Sequence, residues 1–473
     1  MKPKFSKPKP AGGQRRPSQQ PGNASAKGGQ PAKGSRPLAS GLAARQLAIV
    51  LISAVMHERR ALDDALALSL SSRTFADIEP RDRAFARLIA ATVLRRHGEL
   101  SAVVNTFLDK PLPEKRGRLM PILMSAAAQL LLLGTPPHAA ISLAVDQCRL
   151  DRDAQRFDKL TNAVLRRVSE KGADVLSRLN AAELNVPDWL LRRWKTAYGP
   201  ELARDIAAAS LREAPLDLSL KTRNTAEALG GLVLPTGSVR LDAHGRIEDL
   251  PGYLDGDWWV QDAAAALPAR MLGDVAGLEV ADLCAAPGGK TAELAAAGAR
   301  VTSVEVSHSR LKRVEENLQR LKLEATLVAA DATAWAPGRT FDAVLLDAPC
   351  TATGTIRRHP DILHLKRETD LAALAELQRR LLDNAARLVK AGGTLVFCTC
   401  SLEPEEGIAQ IEDFLARRPE FSRLPLQGGE AGIAAEWLTK DGDLRTLPTH
   451  LALEKPELSG MDGFFATRLR RTA

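Results

Sequence analysis

Cys350 and Cys400 lie far apart in the chain, yet each follows a short apolar run of the kind that forms a buried strand. The runs are Leu345-Leu346-Asp347-Ala348-Pro349-Cys350 and Leu395-Val396-Phe397-Cys398-Thr399-Cys400-Ser401. α/β enzymes carry their chemistry beyond the carboxyl ends of parallel strands, and two of the chain's 5 cysteines are expected there. One thiol in that place points to a nucleophile. Two point to a reaction that adds a sulfur and later removes it. The remaining cysteines, Cys148, Cys284 and Cys398, make no disulfide framework with these. No CxxC or paired-histidine spacing supports zinc, so no metal is expected. Cys148 and Cys398 read as small packing residues, as does Cys284, whose backbone borders a glycine turn.

That turn is Asp282-Leu283-Cys284-Ala285-Ala286-Pro287-Gly288-Gly289-Lys290-Thr291. Its end matches a phosphate-binding P-loop, but Cys284 stands where the P-loop needs its first glycine, and the dinucleotide GxGxxG pattern is absent. What remains is a tight turn at a helix start that lets a cofactor approach the backbone closely. Acidic residues close the strands that follow: Glu305, then Asp331, then Asp347. A carboxylate about twenty residues past the turn can take two ribose hydroxyls. Carboxylates in series suit a ligand with a ribose, an amine and a cation, and they repel pyrophosphate. S-adenosylmethionine has those features. One such acid is easily an ordinary turn residue; four in order, counting Asp282, are poorly explained that way. The candidate cofactor residues are therefore Cys284, Ala285, Ala286, Pro287, Gly288, Gly289, Lys290, Glu305, Asp331 and Asp347. Lys290 also stands where it could meet the target base or its phosphate.

The elements that must position these residues follow from periodicity. From Gly41 to about Lys171, helical patterns recur with short breaks, and Ile122 to Leu133 is apolar nearly all round, as in a buried central helix. This predicts an all-α bundle of about five to seven helices. Residues 173–260 mix a helix start at Val186-Pro187-Asp188 with an alternating strand, Leu216–Lys221, and read as a small α+β connector. From 261 onward apolar strands alternate with amphipathic helices, which predicts a parallel, doubly wound, Rossmann-like sheet. The expected organisation is multidomain: 1–40 a disordered basic tail, 41–172 helical, 173–260 connector, 261–473 catalytic α/β.

The tail holds nine Lys or Arg and no acid; those nine exceed the whole chain's net charge of +8, so the rest is near neutral. The tail is either an arm for polyanions or a solvated extension. No apolar run approaches the roughly 18 residues of a membrane span, and the start lacks a signal-type apolar stretch. A reducing, cytoplasmic location is expected.

Several of these segments resemble the RNA cytosine-5 methyltransferases: Asp282–Thr291, Asp347-Ala348-Pro349-Cys350, Thr399-Cys400-Ser401-Leu402-Glu403-Pro404-Glu405-Glu406, Gln261-Asp262 and Met461-Asp462-Gly463-Phe464-Phe465. Arg81-Asp82-Arg83, Pro136–Val145 and Asn162–Arg167 are similar to a NusB-like RNA-binding domain. The pairing resembles the bacterial small-subunit ribosomal RNA methyltransferase B family, also called Sun or Fmu. The resemblance implies S-adenosylmethionine as methyl donor and RNA as partner: small-subunit ribosomal RNA before assembly, with cytosine 967 as the family's site. It also implies a monomer and no membrane. Cys400 would attack C6 of cytosine, Asp347 would hydrogen-bond the base's N3 or amino edge, and Cys350 would assist proton removal and release. DNA cytosine-5 enzymes attack with the Pro-Cys thiol, so chemistry alone leaves the order open. Glu305 replaces the family's Asp, and Thr351-Ala352 replaces its Ser-Gly. Arg357, Arg358 and His359 read either as RNA-backbone contacts or as a solvated charge run. Trp258 and Trp259 read as an interdomain core. The alternatives are a transfer RNA substrate and a non-catalytic RNA-binding assembly factor.

Overall fold

The computed structural model describes residues 41–222, 225–242 and 245–472, so the basic tail lies outside the described residues. Residues 42–176 form helices around one apolar core. Leu119–Leu131 is the central one, with Leu123, Ala127 and Ala128 fully buried. Pro137–Leu150 and Asp158–Leu176 pack on it and on each other. Pro80 and Pro137 each occupy a first helical turn, where a missing N–H costs nothing.

Helices Asp188–Tyr198 and Pro200–Ser210 follow, then a four-stranded antiparallel sheet of β1 (Leu216–Leu220), β2 (Leu232–Val233), β3 (Val239–Leu241) and β4 (Trp258–Val260), in the order β2-β3-β1-β4. Trp258 fills this sheet's small core, whereas Trp259 packs on Ala286, Ala292 and Val314 beyond it. The tryptophan pair therefore joins two cores, as its sequence suggested.

The large sheet contains β5 (Glu279–Leu283), β6 (Arg300–Glu305), β7 (Thr326–Ala329), β8 (Phe341–Asp347), β9 (Val389–Thr399), β10 (Phe421–Arg423), β11 (Leu444–Thr446) and β12 (Phe464–Arg471). Its order is β10-β12-β9-β8-β5-β6-β7, with β11 on β12. Strands β5 to β9 are parallel. The expectation of a parallel sheet needs correction at one edge, where β12 runs antiparallel to β9, with Phe465 opposite Thr399. Alternate residues pack to opposite faces: Val280, Leu345 and Val396 toward the Ala263–Arg270 and Gly289–Ala296 helices, and Ala281, Val344 and Phe397 toward Asp370–Leu388 and Ile408–Arg417. Cys398 is fully buried on the first face. From β5 the chain winds to β6 and β7 on one side and to β8 and β9 on the other. The carboxyl ends of β5 and β8 thus form the switch point at which open α/β sheets bind ligands.

Candidate active site

Parallel pairing of β8 with β9 sets Asp347 opposite Cys398. Each chain then leaves the sheet, and the two thiols meet: Cys350 Sγ lies 3.5 Å from Cys400 Sγ. Three links hold the backbones together. Ala348 N donates to Cys398 O at 3.0 Å, Gly354 N to Cys400 O at 2.9 Å, and Gly463 N to Gly354 O at 2.8 Å. A Cβ on Gly354 would stand 1.9 Å from Gly463 O, so this crossing excludes any side chain. Gly354 follows the family's usual glycine position by a few residues, and here it closes the loop.

Lys290 opens the helix after β5 and is buried. Its Nζ donates to Asp347 Oδ2 at 2.7 Å and lies 5.1 Å from the Phe464 ring centroid. Burial pulls this ammonium down, but Asp347 and the nearby sulfurs of Cys398 and Cys400 more than compensate, and it is held well above its ordinary range. Lys290 is therefore not a solvent-exposed helix-start lysine. Arg358 pairs with the buried Asp462 and likewise gains positive character from Cys400. Burial lowers it, and Asp462 raises it more strongly. Cys400 thus helps to hold the charge on both cations. Cys350 faces the opposite influence: its contact with Cys400, burial and the anionic Glu406 push its thiol well up.

The turn between β5 and the next helix could cradle a cofactor. Gly288 has φ +100°, and a Cβ there would stand 3.0 Å from Val314 Cγ1. Cys284 also adopts positive φ, +62°, and burial pushes its thiol up, with Asp347 and Glu305 adding to the effect. Glu305 is buried at the end of β6. Its Oε1 accepts from Ser307 N at 3.1 Å, its Oε2 from Ala286 N at 3.4 Å, and Arg310 pairs with it at 3.4 Å. The carboxylate spans the turn and keeps only its remaining lone pairs for ligand hydroxyls. Val306 beside it is 67% exposed, an apolar surface next to an acid. Asp331 is exposed after β7, and its Oδ1 accepts from Thr333 N and Oγ1, both at 2.8 Å, which holds its carboxyl down.

Beneath the turn, Asp282 is fully buried. Thr291 Oγ1 donates to its Oδ2 at 2.6 Å, and its Oδ1 has no protein partner. Burial pushes this carboxyl up to about 7, against the pull of Thr291 and Lys290. A raised folded-state value favours the protonated form. Its stabilising contribution is complete below about 4 and is lost as pH rises through about 7. Asp282→Asn removes the titration. The stability of the native protein minus that of this variant should fall by an amount on the order of 4 kcal/mol between pH 4 and 8. Urea unfolding of both proteins across that range measures it, and a pH-independent difference contradicts it.

Sequence reasoning placed Arg357 at an RNA contact or in a solvated run. The structure buries it: Arg357 is 1% exposed, its Nη2 donates to Ser459 O at 3.0 Å, and its own carbonyl accepts from Arg95 Nη2 at 2.9 Å. Arg358 and His359 are half-buried. Leu62 N donates to Asp361 Oδ2 at 3.0 Å, and His364 bonds Leu94 O at 2.8 Å. The loop after Cys350 therefore rests directly on the helical region. The loop after Cys400 is gripped from the connector, where Arg193 bonds Glu403 and Glu405, each at 2.6 Å, and Trp194 Nε1 bonds Glu403 at 3.2 Å.

A family model described as 16S rRNA methyltransferase RsmB/F matches residues 270–470, and a NusB family model matches residues 42–170. The ribosomal RNA small subunit methyltransferase B of Xylella fastidiosa is 37% identical over 450 residues, covering 91% of this chain and 99% of that protein. The chain belongs to the ribosomal RNA small subunit methyltransferase B family. The Vibrio cholerae member is 38% identical over 382 residues, 76% of this chain and 88% of that protein. A solved methyltransferase homolog protein from Pyrococcus horikoshii is 27% identical, with a TM-score of 0.51 over 62% of this chain and 97% of that one. As a member of this family the chain is an S-adenosylmethionine-dependent ribosomal RNA methyltransferase. The turn fits that cofactor: a tight glycine turn at a helix start, an acid at the end of β6, an apolar residue beside it, and a buried Asp282 oxygen without a protein partner below.

Proposed function

We propose that the chain methylates C5 of a cytosine in small-subunit ribosomal RNA, the family's cytosine 967, through a covalent Cys400–C6 adduct. It would act as a monomer in the cytoplasm, on RNA not yet assembled into a subunit. The carrying observation is the pair of thiols 3.5 Å apart at adjacent strand ends, with Asp347 and its partner Lys290 beside them. C5 of cytosine is a weak nucleophile. Cationic surroundings suit an attacking sulfur, and Cys400 adds to C6. Asp347, held by Lys290, meets the N3 or amino edge of the flipped base as electrons move toward C5. The turn Cys284–Lys290, with Glu305 and Asp331, would hold S-adenosylmethionine, which when bound would supply a methyl group activated by positively charged sulfur. Cys350, shifted toward the thiol by its neighbours, lies next to the adduct. With Cys400 tied up as a thioether, its contact no longer raises Cys350; having given its proton to solvent, the Cys350 thiolate takes the C5 proton, the C5–H electrons restore the C5–C6 double bond, and Cys400 leaves C6 as a thiolate.

Naked small-subunit ribosomal RNA and methyl-labelled cofactor test this. After digestion to nucleosides the label should sit in 5-methylcytidine, and mutation of the target cytosine should abolish it. Label in any other nucleoside, or transfer to transfer RNA alone, overturns the proposal. Calorimetry that detects no cofactor binding would favour a non-catalytic assembly factor.

A further inference from the structure

The buried carboxylate of Glu406 touches neither cleft nor solvent, yet it gathers both catalytic loops. It is 0% exposed. Thr351 N donates to its Oε1 at 2.9 Å and Oε2 at 3.1 Å, and Thr351 Oγ1 also bonds Oε2. Ser401 Oγ donates to Oε2 at 2.6 Å. Gln378 Nε2 donates to Oε1 at 3.0 Å and to Pro349 O at 2.9 Å. Glu406's own carbonyl accepts from Thr399 Oγ1 at 2.8 Å. Pro349 and Thr351 flank Cys350; Thr399 and Ser401 flank Cys400. Directly at Thr351, Thr399 and Ser401, and through Gln378 at Pro349, one residue thus holds the chain on both sides of both thiols. A carboxylate out of water needs donors on every lone pair, so this cage is self-consistent only when all its arms are in place.

We infer that Glu406 is a positioning residue for the reaction: its carboxylate sets the separation of Cys350 and Cys400, and so couples attack to release. The inference rests on the proposed roles of these thiols. Glu406→Gln keeps the volume but turns one acceptor into a donor that faces other donors. It should lower kcat by about 100-fold while leaving KM for S-adenosylmethionine within about threefold, as expected when reacting groups are misplaced by about an ångström. The second readout is the rate at which diamide joins the two thiols. In that reaction the diazene takes two electrons and two protons from the thiols and becomes a hydrazine, and a disulfide forms. In Glu406→Gln the cross-linking should slow by at least about tenfold, because it requires the two sulfurs in one fixed geometry. Ser401→Ala and Thr351→Val each remove a single arm and should each slow it less. Glu406→Gln with kcat within about threefold of the native enzyme overturns the inference. So does a large kcat loss with unchanged cross-linking. Cross-linking reports sulfur spacing whichever thiol attacks. If Cys400→Ala retained activity, the assigned nucleophile would fail while this test still decided the role of Glu406.

Discussion

Cys400→Ala should abolish methyl transfer, by a factor on the order of 10⁴ or more, equivalent to at least about 5 kcal/mol of lost transition-state stabilisation. The large effect follows from the chemistry. Without a sulfur on C6, C5 remains a weak nucleophile. Cys350 is the nearest thiol, but it faces Glu406 and is held toward its protonated form. Affinity for S-adenosylmethionine should be unchanged, because the cradle at Cys284–Lys290 belongs to a different strand end. Stability should fall only modestly, since Cys400 is half-buried and packs at the margin of the sheet's core. Single-turnover transfer with calorimetric cofactor binding measures both parts.

Cys350→Ala should fail at the opposite end of the reaction. Attack and methyl transfer should proceed once, after which release stalls. The expected result is a burst of about one methyl group per enzyme, turnover lowered by roughly 10³-fold, and an RNA–protein complex that survives denaturant. The contrast matters more than either number: one variant makes no adduct, and the other accumulates it. Equal losses without adduct would show that the two sulfurs act as one unit rather than in sequence.

Much of the site was legible in the sequence because strand-end chemistry is local. Cys350, Cys400, Asp347 and the glycine turn are marked by apolar runs that end in polar residues, and parallel pairing does the rest. The antiparallel edge was not legible. Phe464–Arg471 carries three arginines and a threonine, and its apolar residues are split between both faces, Phe464 and Ala466 on one and Phe465 and Leu469 on the other, so neither alternation nor an apolar run marks its direction. The Arg357-Arg358-His359 run misled for a related reason. Charge in a sequence suggests solvent, but Arg357 is buried beneath the C-terminal loop and against the helical region, and Arg358 is committed to Asp462. Glu406 lay inside a recognised motif with no assigned role, because its partners Thr351 and Gln378 are distant in sequence. Glu305 illustrates a partial success: its place at the end of β6 was read correctly, whereas its engagement with Ala286, Ser307 and Arg310 depends on the folded turn.

The division of labour between the thiols meets its most direct test in the complex trapped by Cys350→Ala. Protease and nuclease digestion followed by peptide mass spectrometry identifies the cysteine that carries the base. A methylated cytidine on the peptide containing Cys400 is the predicted result. An adduct on any other residue, or a base bound without its methyl group, would contradict it.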